Sequence, residues 1–384
     1  SSDVGGGSLA AHGSLGPDAI DLSVLTAALP IGAFAANYPE LQATGSLDFT
    51  GRVTGTAEAL SVNGRFQALH GRILNQPFDR AAGLIAFNHG TISLDGVEVH
   101  NGKGLHQISG WVALSGSREL NLIIKTQGAR AEDLVALLAP GEPLTGNVEN
   151  EVELSGTLDS IEAEGKLTLW EGSYRGYLLT KASGAYRRHG GIISLDEFEV
   201  DSFNAKATIS GTLDRQQLLN FNIDAQDVEV AYIQFRYPYP VQGKISMHGA
   251  LTGSLTKPEF NGEVMSRTLK LNGQDLFDIG GTVLLRRDAV QISAVHFLLG
   301  KGQVRASGGY RETDGEVYGG LSVENTDISA LLSILNTPLP DVSGRLDGQV
   351  ALTGTTASPA LQLFGSLHGG KIKDYALDRI DLDV

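Results

Sequence analysis

A glycine-framed strand pattern recurs four times along this chain, at steps of 101, 97 and 101 residues. The copies open at Gly45-Ser46-Leu47, Gly146-Asn147-Val148, Gly243-Lys244-Ile245 and Gly344-Arg345-Leu346. Each carries another glycine ten residues on: Gly55, Gly156, Gly253 and Gly354. A fixed long period implies a run of similar supersecondary units and not one closed core. Other landmarks keep step, as Gly83 does with Gly184 and Gly281, and Ser109-Gly110 with Ser210-Gly211 and Ser307-Gly308. One more step back from Gly110 lands on Gly13. Residues 1–44 therefore read as the end of a preceding repeat plus a junction. The repeats run 45–145, 146–242 and 243–343, with a partial fourth over 344–384. The chain is expected to be a piece of a longer repeat protein.

Within each copy the residues alternate. Leu47, Phe49 and Val53 are separated by Asp48, Thr50 and Arg52; Val148, Val152 and Leu154 by Glu149, Glu151 and Glu153. Ile245, Met247 and Leu251 stand against Lys244, Ser246 and His248, and Leu346, Val350 and Leu352 against Asp347, Gln349 and Ala351. Period-two alternation predicts strands with one apolar and one wet face. A second strand carries Phe66, Leu167, Val264 and Leu367, each two residues after a glycine. Later come Ile92, Leu94, Val97, Val99; then Ile193, Leu195, Phe198, Val200; then Val290, Ile292, Val295, Phe297. The step from Leu94 to Val97 is three, which flips the face unless one residue is inserted. A β-bulge or tight corner is therefore predicted at Asp95-Gly96, Asp196-Glu197 and Ser293-Ala294, and a repeated bulge curls a sheet.

Helical spacing appears only at the junctions. Ala131 to Leu138 reads as a helix stopped by Pro140, and Asp327 to Leu335 as another with Thr326 as N-cap. Ile31–Asn37 and Val228–Phe235 are weaker candidates, the latter readable as strand. Most of the prolines cluster at these junctions, where ladder pairing ends. The predicted class is all-β: repeated antiparallel strands forming a long curved sheet with an apolar interior, and short helices or loops between repeats. At about eleven residues per strand the chain would hold about thirty-five strands, on the order of 160 Å of sheet. Such a sheet must cover its apolar face, and the junction helices read as too short and too few to do so. A curled trough and a string of separate sandwiches both remain open.

Charge and chemistry narrow the function. The net charge of −15 argues against nucleic acid, which needs a basic footprint. The chain has no cysteine, hence no disulfide framework or thiol chemistry. No apolar run reaches the length of about eighteen residues that a spanning helix needs, and no signal-peptide pattern opens the chain. Gly102-Lys103-Gly104 and Gly300-Lys301-Gly302 recur but lack a P-loop frame and read as turns. The histidines are scattered, and the Glu149, Glu151, Glu153 run reads as a solvated strand face before it reads as a calcium site. Gln234 to Pro240 reads as a rigid aromatic loop, with partner contact as the sharper alternative. Neither a catalytic set, a metal site nor a cofactor site is expected.

Two longer phrases carry a resemblance. Leu144-Thr145-Gly146 with Val152-Glu153-Leu154-Ser155-Gly156-Thr157-Leu158, and Val342-Ser343-Gly344 with Ala351-Leu352-Thr353-Gly354-Thr355 and Pro359, resemble the repeats of TamB-like and AsmA-like envelope proteins. Gly165-Lys166-Leu167-Thr168-Leu169-Trp170-Glu171-Gly172-Ser173-Tyr174 resembles the element that follows. The resemblance spans nearly the whole chain. It implies a taco-folded antiparallel sheet whose apolar groove carries phospholipid between the inner and outer membranes, in support of outer-membrane biogenesis. It also implies a periplasmic location, an inner-membrane anchor outside these residues, and an outer-membrane barrel protein of the insertase class as partner. The groove lining expected on that basis is the apolar register already named. The competing reading is a structural, adhesive or chaperone-like β-repeat protein with closed cores.

Overall fold

The computed structural model describes residues 2–4, 6–16, 19–34, 42–56, 58–73, 76–138, 141, 143–174, 176–202, 205–232, 240–335, 342–373 and 375–383. The chain divides into two compact units, residues 1–200 and 201–384. The first begins with β1 (Ser2–Val4), β2 (Gly7–Leu15), β3 (Ile20–Pro30) and the one-turn α1 (Ile31–Phe34). The repeat after it supplies β4 (Thr44–Gly55), β5 (Leu60–Ile73), β6 (Gln76–Asn88), β7 (Thr91–Asn101), β8 (Gly104–Ala113), β9 (Glu119–Arg130) and α2 (Ala131–Leu138). β10 (Leu144–Thr157), β11 (Ser160–Tyr174), β12 (Tyr177–His189) and β13 (Ile192–Ser202) follow. The second unit holds β14 (Ala205–Leu213), β15 (Leu218–Glu229), a 3-10 turn at Val230–Tyr232, β16 (Val241–Ser254), β17 (Lys257–Leu271) and β18 (Gln274–Leu285). It continues with β19 (Ala289–Leu299), β20 (Gly302–Arg311), β21 (Val317–Asp327), α3 (Ile328–Ile334), β22 (Val342–Thr355), β23 (Ser358–Ile372) and β24 (Tyr375–Asp383).

Both units are antiparallel meanders. From β1 to β12, and again from β14 to β24, each strand pairs with the next in sequence. β13 lies beside β12: a Cβ built on Gly184 would meet Phe198 Cα at 2.8 Å. Among the described residues neither unit pairs its first strand with its last, so neither closes into a barrel. Sandwiches of separate sheets are not what forms. Among the described residues there are 24 strands, not about thirty-five, and several reach 15 residues. The sequence estimate gave every residue to strands of about eleven, leaving none for turns and junctions, while the ladders run longer, through glycines and bulges. Gly102 and Gly300 sit at φ 57° and 61° in the β7–β8 and β19–β20 hairpins, the left-handed turn geometry that suits glycine.

The expected bulge is present on β7. Leu94 opposes Gly110 and Val97 opposes Ile108, so three steps on β7 match two on β8. One extra residue keeps Leu94 and Val97 on the same face. β19 does the same between Ile292 and Val295. Gly96, Glu197 and Ala294, at equivalent positions, all have positive φ (57°, 43° and 52°). A second series precedes each junction, with positive φ at Ala28, Gly128, Asp227 and Asn325. A third recurs on the second strand after each junction, β5, β11, β17 and β23.

α2 has the predicted bounds. α3 starts one residue later than expected, and Asp327 caps it instead of Thr326: Asp327 Oδ1 accepts from Ser329 N at 2.9 Å and Ala330 N at 3.1 Å. Thr326 is fully buried, its hydroxyl donating to Glu324 O at 3.0 Å and Gln303 O at 3.3 Å, so it secures the bulge. Of the weaker candidates, α1 keeps only one turn, and Val228–Phe235 divides between the end of β15 and the 3-10 turn. Residues 35–37 and 233–235 lie outside the described residues, as do most of the junction prolines and most of the 234–240 aromatic stretch.

Candidate functional site

In an antiparallel ladder, directly opposed residues share a face. In the first unit, Thr26 opposes Phe49, Phe49 opposes Phe66, and Phe66 opposes Gly83. Gly83 abuts Val97, with an added Cβ only 2.6 Å from its Cα. Val97 then leads through Ile108, Ile124 and Val152 to Gly165 and Tyr186. This row crosses every strand from β3 to β12. In the second unit the equivalent row runs Ala207, Ala225, Met247, Val264, Gly281, Val295, Ala306, Leu321, Val350 and Leu363. The register assembled from glycine spacing thus brings Phe49, Phe66, Val97 and Val152 together, and Met247, Val264, Val295 and Val350. It missed Ile108, Ile124, Ala306 and Leu321, although the alternation in Leu120, Leu122, Ile124 was there to read.

Burial grades across the strands. The residues two past each framing glycine are Leu47, Val148, Ile245 and Leu346; Leu47 is half-buried and the other three are buried, Val148 at 1% exposure and Leu346 at 0%. Eight past the glycine, Val53, Leu154, Leu251 and Leu352 are all half-buried, none fully so. Ile92, Leu94, Ile193, Leu195, Val290 and Ile292 share that partial exposure.

The junction helices cause part of this gradient. In the second unit Ile328, Leu331 and Leu332 of α3 cluster with Leu276, Phe297, Leu299, Val304, Val323, Leu346, Val350 and Leu367. Asn272 Nδ2, in the β17–β18 turn, donates to Ser333 O at 2.6 Å and holds the helix end. In the first unit Ala131 of α2 packs with Leu169 and Ala182, flanked by Phe198 and Val200. Ile31 of α1 packs with Ala68, Phe78 and Ala81, flanked by Leu47, Phe66 and Val99. Contrary to the sequence reading, short helices do cover the face, but only its junction-side half. Phe297, Leu346 and Val350 lie under α3. Leu167 is half-buried and opposes Asn150, a polar residue on the same face.

The opposite face is wet. Glu149, Glu151 and Glu153 are exposed; Lys125 pairs with Glu151 at 2.9 Å, and Asn121 Nδ2 donates to Glu153 at 3.1 Å. Arg52 grips Asp21 through two bonds of 2.6 Å, which holds the Asp21 carboxyl below its ordinary range. Such exposed pairs keep the surface soluble more than they stabilise it. Among the described residues, no group of three His, Cys, Asp or Glu side chains is placed to hold a metal ion, and no helix is long and apolar enough to cross a membrane.

One stretch of the apolar face is polar. His106 opposes Thr126 and Thr126 opposes Asn150. His106 Nδ1 and Thr126 Oγ1 share a hydrogen bond of 2.9 Å, and the Tyr186 hydroxyl donates to Asn150 Oδ1 at 3.1 Å. Tyr186 reaches Asn150 diagonally because the strand between them offers Gly165. Burial lowers the His106 pKa, with Asp133 of α2 pulling the other way. Burial likewise raises the Tyr186 phenol, offset in part by its bond to Asn150.

A family model described as the TamB N-terminal domain matches residues 178–384, just over half the chain. Comparison with curated proteins and with solved structures gives no match.

Proposed function

This chain belongs to the TamB family of cell-envelope proteins, and from that premise we propose that its apolar face conducts phospholipid acyl chains between the inner and outer membranes. The observation that carries the proposal is the partial exposure of Val53, Leu154, Leu251 and Leu352 at the same register in successive repeats. An ordinary core would bury such residues. Acyl chains in water are costly, at ~0.8 kcal/mol per exposed CH₂. A face that offers aliphatic contact at each successive strand removes that cost stepwise, and its lack of deep traps lets a chain slide while the headgroup stays in water. The role is non-catalytic. The wider proposal places the whole protein in the periplasm, held by an inner-membrane anchor outside these residues. It works with an outer-membrane barrel protein of the insertase class and supports outer-membrane biogenesis.

A second reading, a structural or chaperone-like β-repeat protein with sealed cores, draws support from α3, which buries Leu346 and Val350. Native mass spectrometry of the purified chain separates the two. Conduction predicts co-purifying phospholipid released by detergent; a sealed core predicts a lipid-free protein.

A further inference from the structure

The polar stretch in the first unit is set apart by comparison among the repeats. The position of His106 is taken by Ala207 and Val304 in the later repeats, since each opposes the matching residue of the next strand (Thr126, Ala225 and Val323). Asn150 stands where the other repeats have Phe49, Met247 and Gly348. Tyr186 stands where they have Ile85 and Val283. Only Thr126 has a polar counterpart, Thr26, and that side chain is occupied at its bulge, where it accepts from Phe49 N at 2.9 Å. Three positions that are apolar or glycine elsewhere have thus turned polar together, and with Thr126 they form two hydrogen-bonded pairs.

Asn150 is 6% exposed and Thr126 3%. The Tyr186 hydroxyl engages Oδ1 of Asn150, which leaves its amide Nδ2 as the free donor; among the described residues Nδ2 has no hydrogen-bond partner. Nδ2 is not one of the polar atoms sealed away without a partner, so it keeps contact with solvent, and a carbonyl oxygen arriving there can replace water at this donor. Hydrocarbon passing over the same spot cannot. The quartet borders the α2-packed residues Leu169 and Ala182, because Val148 opposes Leu169, and Asn150 and Leu167 are the next pair on that face.

We propose that His106, Thr126, Asn150 and Tyr186 form a station that holds the acyl-ester carbonyl of a glycerolipid, with Asn150 Nδ2 as donor. The proposal rests on the conduction reading. It adds a defined resting place within a face that otherwise lets chains slide, and a chemical preference for ester-linked over ether-linked lipid.

The test loads the delipidated chain from vesicles of a diacyl phosphatidylglycerol, or of its dialkyl ether analogue lacking both carbonyls. Relative affinity is read by native mass spectrometry. The expected result is an ester preference of about three- to tenfold, the ratio one net hydrogen bond supplies. That preference disappears in Asn150→Leu, and in a variant carrying His106→Ala, Thr126→Ala, Asn150→Met and Tyr186→Val, the residues of the later repeat. Equal binding of the two lipids by the unaltered chain overturns the station while leaving conduction standing, and marks the quartet as a self-contained structural network. An ester preference that survives Asn150→Leu overturns the assignment to this residue. Binding of neither lipid overturns conduction and the station together.

Discussion

Leu346 and Leu251 sit in register-related strands of the same unit, yet they should answer mutation in opposite ways. Leu346 is fully buried beneath Leu331 and Leu332 of α3. Truncation to alanine removes its transfer energy and leaves a cavity that a helix on one side and a sheet on the other cannot collapse, a loss of about 2–5 kcal/mol. Leu251, six residues further along its repeat, is only half-buried, so Leu251→Ala forfeits about 1 kcal/mol of apolar burial. Leu251→Asp should still fold, because the carboxylate keeps contact with water. An acyl chain crossing it must strip that water, at an effective cost of several kcal/mol for an ion. About 3 kcal/mol on the barrier slows transfer roughly a hundredfold. Urea unfolding and vesicle-to-vesicle transfer of a fluorescent phospholipid measure the two effects separately. If Leu346→Ala is no more destabilising than Leu251→Ala, the division into a covered and an open half is wrong. If Leu251→Asp transfers lipid at the unaltered rate, the open half is not the path.

Two further outcomes follow from local chemistry. Asp327→Ala removes the acceptor for Ser329 N and Ala330 N and should cost about 1 kcal/mol in urea unfolding, with a matching loss of protection in amide exchange across α3. His106, whose folded pKa lies below the ordinary 6.5 because of burial, should make stability pH-dependent. The unfolded chain takes up a proton that the folded imidazole resists, so this contribution is complete above about pH 6.5 and declines as pH falls toward the folded pKa. His106→Ala should therefore flatten the acid side of the unfolding profile, and an unchanged profile would count against the burial.

How much of this was legible in the sequence varies by element. The bulge at Gly96 followed from arithmetic, because a step of three between Leu94 and Val97 makes sense on one face only with an inserted residue. α2 was legible because its apolar spacing is local and Pro140 follows. The bulges at Ala28 and Asp227 were not, since alanine disfavours a positive φ, aspartate merely tolerates one, and the inserted residue shows only against the partner strand. α3 as a cover was missed for a similar reason: Leu331 and Leu332 announce a helix but not what lies beneath it. The polar quartet was hidden by sequence distance. His106 and Asn150 lie in different repeats, and only the ladder through Thr126 places them side by side. Phe198 illustrates the same limit, because in sequence it matches Val97 and Val295, and only the structure places it at the α2 cluster. A charge there would disturb that core as well as any path.

The central claim is that acyl chains travel on the half-buried aliphatic face and not on the charged one. Leu154 and Glu153 are adjacent in β10, half-buried on one face and exposed on the other. A photo-crosslinking side chain at each position, irradiated in lipid-loaded protein, puts the question directly. The account predicts phospholipid adducts at position 154 and none at 153. Equal capture at both positions, or capture at 153 alone, would contradict it.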